Sequence, residues 1–362
     1  MKILILINND VGLYKFRKEF LEELLKNYEV FISSPRGPFT QKVINMGCHF
    51  IETDINRRGT NPFADIKLML RYHKIVQKIN PDLIYTYTIK PNVYGGLIAM
   101  ISKTPYIATI TGLGTAVQKN GWLQKFVTNL YKVSLKKASR VFFQNSDNLK
   151  FFQENKIIKD NQIRLVPGSG VNLTHYQYQK YPIDSQKINF LFVGRLMVEK
   201  GINELFEAAE YFKNKESKIS FHILGFMEDN LDGRLKELIT NGTIIYHGQQ
   251  SDIRPFLKDA HAIIHPSYHE GLSNVLLEAA ASGRPILASD IPGCQETFDE
   301  GSTGYGFSPK STESLINVIE KFINLPHDQK EQMGVLGRKK IEKEFDRDQV
   351  VQSYINEVNK LK

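Results

Sequence analysis

Short apolar runs alternate with amphipathic segments along the whole chain, and the alternation begins twice. KILILI opens the first series, followed by a segment with Phe16, Phe20, Leu21, Leu24 and Leu25 at helical spacing. EVFISSP, HFIETDI, a periodic stretch over Phe63–Ile79, PDLIYTYT, VYGGLIAMIS, PYIATITG, the stretch Trp122–Ser139 and RVFFQNS continue it. INFLFVGR restarts the rhythm, which runs through Ile202–Asn214, KISFHILG, Leu231–Thr240, GTIIYHG, Ile253–Asp259, AHAIIHPS, Asn274–Ser282, PILASD and GYGF to two closing helices. Apolar strands separated by helices of period 3.6 imply a parallel sheet covered by helices on both faces. The fold class expected is α/β, with two Rossmann-like, doubly wound parallel-sheet domains facing a cleft. The polar, proline-containing stretch YQKYPIDSQK sets the boundary, giving domains of residues 1–180 and 181–345 and a C-terminal helix, 346–362, that returns to the first domain. Ligands of such sheets bind outside the carboxyl ends of the strands, so the loops after strands should carry the site.

A chain of 362 residues is long enough for two such domains. No apolar stretch reaches the roughly 18 residues of a spanning helix. The N-terminal ILILI lacks a signal-peptide cleavage pattern. Cys48 and Cys294 are the only cysteines, far apart in sequence, which fits a reducing compartment and argues against a disulfide framework or a Cys-based zinc site. A cytoplasmic location follows as the expectation. Net charge is +8 but unevenly spread: residues 1–183 carry 26 Lys and Arg against 12 Asp and Glu, or +14, and the remainder 21 against 27, or −6. A basic half suits nucleic acid, anionic lipid or a phosphorylated substrate.

The acids of the second half are pointed. SYHEGLSNVLLEAAASGRPILASDIPG, residues 267–293, carries Glu270 and Glu278 with seven residues between them. Glu270 falls on a strand-to-helix loop, and Glu278 about one turn into a helix that Ser273 or Asn274 can cap and Gly283 ends. An ionised carboxylate only accepts hydrogen bonds, so it suits vicinal sugar hydroxyls, which donate. Helix-start amides nearby suit a phosphate. A second loop, GRLMVEKG, puts Gly194, Arg195 and Lys200 after a strand: glycine admits a ligand to the backbone, and the two cations suit a diphosphate.

GRLMVEKG together with HEGLSNVLLEAAASGRPILASDIPG resembles glycosyltransferase family 4, retaining enzymes of GT-B fold, and the likeness covers nearly the whole chain. The resemblance implies that Glu270 contacts the hydroxyls of a donor sugar and Glu278 the nucleotide ribose, while Arg195 and Lys200 neutralise the diphosphate. It further implies that the amides of Gly271, Leu272, Ser273 and Asn274 meet sugar and phosphate. HGQQSDI, with Gln249 and Gln250, looks like the wall against the base. A frequent family spelling has Gly-Leu-Pro where Ser273-Asn274 stands here. In related enzymes the loop NNDVGLY, with Gly12 and Tyr14, approaches the donor phosphate and the acceptor.

On the acceptor side, TYTIKPNVYGG resembles a segment of bacterial enzymes that extend undecaprenyl-diphosphate-linked glycans, with Lys90 and Asn92 as its polar candidates. In similar enzymes the loop corresponding to TGLGT, with Gly112, borders the acceptor. Arg57 and Arg58 suit a phosphorylated acceptor, or a solvated turn. The basic amphipathic stretch with Trp122, Phe126, Leu130, Val133 and Leu135 suits an anionic membrane surface, or domain packing. His261, His265 and His269 lie on and beside a strand, where they would not converge on a metal, and Asp346-Arg347-Asp348 reads as a helix start. No histidine lies between residues 84 and 118, so the acceptor-activating group stays unassigned.

The reaction expected is transfer of a hexose or N-acetylhexosamine from a UDP-sugar to a lipid-diphosphate-linked saccharide in surface-polysaccharide assembly. It would occur at the inner face of the plasma membrane, without a metal cofactor or nucleic acid. A UDP-sugar 2-epimerase of similar shape would convert donor with no acceptor present. A non-catalytic nucleotide-sugar binder would consume none.

Overall fold

The computed structural model describes residues 1–56, 61–112, 121–183, 187–215, 218–229 and 232–361, the side chains of Trp122, Leu123 and Asp232 excepted. Its contacts divide the chain into two units, Met1–Ser169 with Asp348–Lys362, and Gly170–Arg347.

The first unit is built on seven strands: β1 Lys2–Leu6, β2 Glu29–Ser34, β3 His49–Glu52, β4 Leu83–Tyr87, β5 Tyr106–Ile110, β6 Arg140–Phe143 and β7 Ile163–Leu165. All pair in parallel in the order β3-β2-β1-β4-β5-β6-β7. The near-continuous apolar runs of β1, β4 and β5 have their cause here, because successive side chains enter opposite faces and both faces are covered. Ile3, Ile5, Tyr85 and Phe142 enter a core with Phe20 and Tyr354, from the helices Asp10–Leu25 and Arg347–Asn359. Leu4, Leu6, Ile84 and Phe143 enter another with Leu68, Tyr72, Ile98 and Tyr131, from Pro62–Ile79, Gly96–Ser102 and Trp122–Ser134.

The second unit repeats the scheme with β8 Ile188–Val193, β9 Ile219–Leu224, β10 Ile245–Tyr246, β11 Ala262–His265, β12 Ile286–Ser289 and β13 Gly304–Phe307, all parallel in the order β10-β9-β8-β11-β12-β13. In each sheet the winding reverses beside the first strand, between β1 and β4 and between β8 and β11, and there the loops at the carboxyl ends diverge to leave room for a ligand.

Several elements depart from expectation. Three helices close the chain, Thr312–Ile323, His327–Glu344 and Arg347–Asn359. Pro326 stops the first, and the parallel bridge between Val171 and Asp346 interrupts the chain before the third. The helix from Trp122 ends at Ser134, and GTIIYHG holds only the two-residue β10. VYGGLIAMIS enters its helix through a π-helical turn, Pro91–Gly95. Asn8–Tyr14 is helical from Asp10, because the Asn9 side chain accepts from the Gly12 amide and caps the helix there.

The unit boundary falls at Ser169–Gly170, ahead of the polar stretch. Residues 177–181 are fixed to the second unit: the Gln179 amide donates to Ser282 O, Tyr181 Oη donates to His261 O at 2.9 Å, and the Arg284 guanidinium donates to the carbonyls of Gln179 and Lys180. Residues 184–186 of that stretch lie outside the described residues. Among the described residues no helix is long and apolar enough to cross a membrane.

Glu357 joins the last helix to the first sheet. Its carboxylate accepts from Arg164 on β7 at 2.7 Å and Lys360 at 2.9 Å, and forms an ion pair with Arg140 on β6 at 2.8 Å. Burial would raise this carboxyl, but the three cations prevail and lower it below 4.5. Its stabilisation is therefore present above the unfolded value and lost as pH falls below it. Glu357→Gln should cost about 1–3 kcal/mol at neutral pH. The deficit should narrow as pH falls below 4.5, read from urea unfolding at several pH values.

Candidate active site

The second unit's reversal point brings together two loops that are far apart in sequence. One follows β8, Gly194–Gly201, and the other follows β11, Pro266–Ser273. They approach backbone to backbone. Gly201 sits at φ +68°, and a Cβ there would lie 2.0 Å from Pro266 O, so no side chain fits. Gly293, at φ +81°, presses on the carbonyls of Glu270 and Gly271 from the loop after β12, and its own carbonyl accepts from the Ser273 amide at 2.9 Å. Gly194 is met likewise, since a Cβ on Gly225 would lie 1.7 Å from Gly194 O.

This approach delivers Lys200 to Glu270. Lys200 Nζ donates to Glu270 Oε1, and both side chains are mostly buried, at 18% and 15% exposure. His265, the last residue of β11, brings Nε2 to 2.7 Å from the same Oε1 and is itself buried. Both hydrogen bonds described for this carboxylate use Oε1. Burial would raise the Glu270 carboxyl, but His265 and Lys200 prevail and hold it at about 2. The group is a fixed, ionised acceptor at any ordinary pH.

Ser273 occupies the N-cap position of the helix Asn274–Ala281, but its side chain makes no capping bond. Its Oγ turns instead to His265 Nε2, 3.3 Å away. The helix start is left without a side-chain acceptor, and Asn274 Oδ1 is buried with no partner among the described residues. Leu272 is half-buried against the apolar cluster beneath. Glu278, on the same helix, accepts from the Tyr176 hydroxyl, whose own titration is raised by burial and by that carboxylate. Arg195 is not part of the Lys200–Glu270 cluster: its Nη1 donates to Glu228 in the loop after β9. Gln249 is exposed, next to Gly248, whose carbonyl accepts from the Gly225 amide.

His265 is the member of this cluster that the sequence did not assign. Its position as the last strand residue, five before Glu270, was the available signal. The three histidines do not converge: His261 accepts from the Asn189 amide through Nδ1, His265 turns to Glu270, and His269 is exposed. Among the described residues no group of three or more His, Cys, Asp or Glu could hold a metal ion.

The first unit places its candidates differently. Gly12 lies in the first helical turn, and Tyr14 stacks on Phe39 with ring centroids 5.1 Å apart. Lys90 is paired with Asp65 at 2.5 Å. Asn92 is 1% exposed, with Oδ1 accepting from Thr86 at 2.7 Å and Nδ2 donating to Thr109 O at 2.9 Å. Buried in this way, it braces β4 against β5. Thr88, in the same segment, has φ +70°, a strained conformation for a β-branched residue, secured by the Asn92 amide donating to its carbonyl at 2.9 Å. Among the described residues nothing lies within 4 Å of the position a Cβ on Gly112 would take. Arg57, Arg58 and the residues of TGLGT after Gly112 lie outside the described residues.

The depressed Glu270 value gives a signed expectation. Its stabilisation is complete above 4.5 and is lost as pH falls toward 2. His265→Ala should therefore lower stability at neutral pH, and the gap to the wild type should close as the solution is acidified through that window. A gap that stays constant in urea titrations across the window would mean His265 does not hold the carboxylate ionised.

Comparison with known proteins identifies the family and the fold. The family of group 1 glycosyl transferases matches residues 176–340, and the family described as glycosyl transferase 4-like matches residues 2–145. The N,N'-diacetylbacillosaminyl-diphospho-undecaprenol alpha-1,3-N-acetylgalactosaminyltransferase of Campylobacter jejuni is 30% identical over 336 residues, 88% of each chain. The capsular polysaccharide biosynthesis glycosyltransferase CapM of Staphylococcus aureus is 25% identical over 359 residues, 94% of this chain and 92% of its own. The fold matches that of the Anabaena protein HepE, solved with UDP and glucose, at a TM-score of 0.80 and 18% identity, covering 99% of this chain and 100% of that one. Two doubly wound domains of this type make up the GT-B architecture. With a relative at that identity along most of its length and a family match in each half, the chain belongs to the group 1, family 4-like glycosyltransferases.

Proposed function

We propose that this glycosyltransferase moves a hexose or N-acetylhexosamine from a UDP-sugar to a saccharide carried on undecaprenyl diphosphate, with retention at the anomeric carbon, in assembly of a bacterial surface glycan. The observation that carries the donor side is the cluster at the β8–β11 reversal: a carboxylate held ionised, a lysine on it, and an uncapped helix start beside it. Glu270 accepts from hydroxyls of the donor sugar. Glu278, already accepting from Tyr176, takes a ribose hydroxyl. Lys200 has further N–H groups beyond the one given to Glu270, and these, with Arg195 and the helix amides from Gly271 to Asn274, neutralise the diphosphate. Gly194 lets it approach the backbone, and the backbone at Gln249 lies along the base. Gly12 borders the donor phosphate; Tyr14, Lys90, Gly112, Arg57 and Arg58 serve the acceptor.

In the transfer, the acceptor oxygen bonds to C1 as the bond from C1 to the diphosphate oxygen breaks. The acceptor's proton passes to that departing oxygen. Charge builds on the leaving UDP, where Lys200 and Arg195 stabilise it more in the transition state than before it. Two protein cations in that role support a reaction without a metal. The lipid carrier and the +14 of the first 183 residues support work at an anionic membrane surface, the inner face of the plasma membrane. The names of the relatives support the acceptor class: the Campylobacter enzyme is named for a diphospho-undecaprenol substrate.

Release of UDP from a panel of UDP-sugars, with membrane extract as acceptor, identifies the donor. Lys200→Ala and Glu270→Ala should each lower turnover by about 10²–10³-fold while the melting curve stays cooperative. Near-normal turnover in both would sink the assignment. EDTA should leave the rate unchanged; a loss that added magnesium restores would overturn metal independence.

A further inference from the structure

Among the described residues, the first unit gathers most of its exposed large apolar side chains on the helices of one face of its sheet, Leu165 on the edge strand β7 being the exception. Phe63 is 83% exposed, Ile101 64%, Leu70 55%, Phe126 54%, Val133 53% and Ile66 52%. All six lie on the three helices Pro62–Ile79, Gly96–Ser102 and Trp122–Ser134, each touching the next. The inner sides of these helices are already committed to the core through Leu68, Tyr72, Ile98 and Tyr131. A helix needs one apolar stripe to pack. Pro62–Ile79 has a second: Phe63, Ile66 and Leu70, at spacings of three and four, share one side of it, away from Leu68 and Tyr72. On Trp122–Ser134, Phe126 and Val133 are one heptad apart and exposed, whereas Leu130 is half-buried and Leu135, just beyond, is fully buried.

Charge says what such a face meets. Lys67, Arg71, Lys74, Lys78, Lys103, Lys125, Lys132, Lys136 and Lys137 are all exposed on or just beyond these helices. Residues 61–138 carry eleven Lys and Arg against two acids, Asp65 and Asp82, and Asp65 is taken by Lys90. A second copy of the chain would set this basic face against itself, and like charges across an interface repel. Apolar side chains among unpaired lysines match an interface with anionic headgroups outside and acyl chains beneath: the rings and branched chains enter, and the lysine stems lie along the boundary with their ammonium groups at the phosphates.

We infer that the outer side of these three helices, with Phe63, Ile66 and Leu70 as its apolar centre, is the surface by which the protein docks on an anionic lipid bilayer. This deepens the proposed function, resting on its lipid-borne acceptor, and moves the contact from the expected Trp122 helix to a face that includes Pro62–Ile79.

The test is co-sedimentation of the full chain with vesicles of phosphatidylcholine, alone or mixed with phosphatidylglycerol. The wild type should bind the mixed vesicles only, and less as salt is raised. The triple variant Phe63→Ser, Ile66→Ser, Leu70→Ser should keep the wild-type circular dichroism and a cooperative melt, because these side chains are half or more exposed, and should bind at least about tenfold more weakly. Unchanged binding by that variant, or equal binding to both vesicle types, would overturn the surface. So would a wild-type dimer in sedimentation velocity that the variant abolishes. Turnover with a water-soluble acceptor lacking the long lipid should be the same in both proteins. If that turnover is absent while the two proteins differ in vesicle binding, the transfer reading falls and the surface stands; if turnover is present and binding unchanged, the surface alone falls.

Discussion

The donor-side geometry depends on one carboxylate. Glu270 is mostly buried, and burial alone would favour its neutral form. It stays ionised because Lys200 and His265 converge on a single oxygen. Neither partner is close in the fold by accident of sequence. Lys200 arrives from the loop after β8, and His265 from the end of β11, so the triad exists only because those two strands are neighbours in the sheet. A carboxylate held by two partners on one oxygen is an acceptor set in place before any ligand arrives, which lowers the ordering cost of binding.

Backbone packing makes that convergence possible. Gly201 against Pro266, Gly225 against Gly194, and Gly293 against Glu270 and Gly271 are three close approaches of main chain to main chain, and each excludes a Cβ. They draw the loops after β8, β9, β11 and β12 into one layer above the sheet. The first unit uses its own reversal point differently. There the polar group between β4 and β5, Asn92, is spent on the structure, and the strain is stored one turn earlier at Thr88. Four residues after β1, the Asp10 carboxylate likewise accepts from the Phe39 amide and the Thr40 hydroxyl and holds a neighbouring loop.

The uneven charge of the two halves takes on a physical sense at the level of faces. The cations of the first unit concentrate on helices whose outward sides are also apolar, a combination that costs solubility unless something covers it. The acids of the second unit are instead drawn into specific pairs, Glu228 with Arg195, Glu270 with Lys200 and Glu278 with Tyr176. One half thus presents a diffuse positive field and the other a set of fixed acceptors.

The alternation of apolar runs and amphipathic segments was enough for the fold class, because parallel strands buried on both faces leave a continuous apolar signature that single-sided strands do not. The spacing of Glu270 and Glu278, and GRLMVEKG, marked where the chemistry lies, since a loop after a strand must open at the carboxyl edge of the sheet. Boundaries were less legible: the polar stretch at 177–181 belongs to the second unit because Arg284 and Tyr181 tie it there, contacts that span up to 105 residues. Partners were least legible of all. Local sequence decides which residues can be strand, helix or loop, and which can carry charge. Only the winding of the strands decides that His265 and Lys200 meet on Glu270, that Arg195 goes to Glu228 instead, and that Asn92 turns inward, because hydrogen bonds act over about 3 Å and the chain must fold before those distances exist.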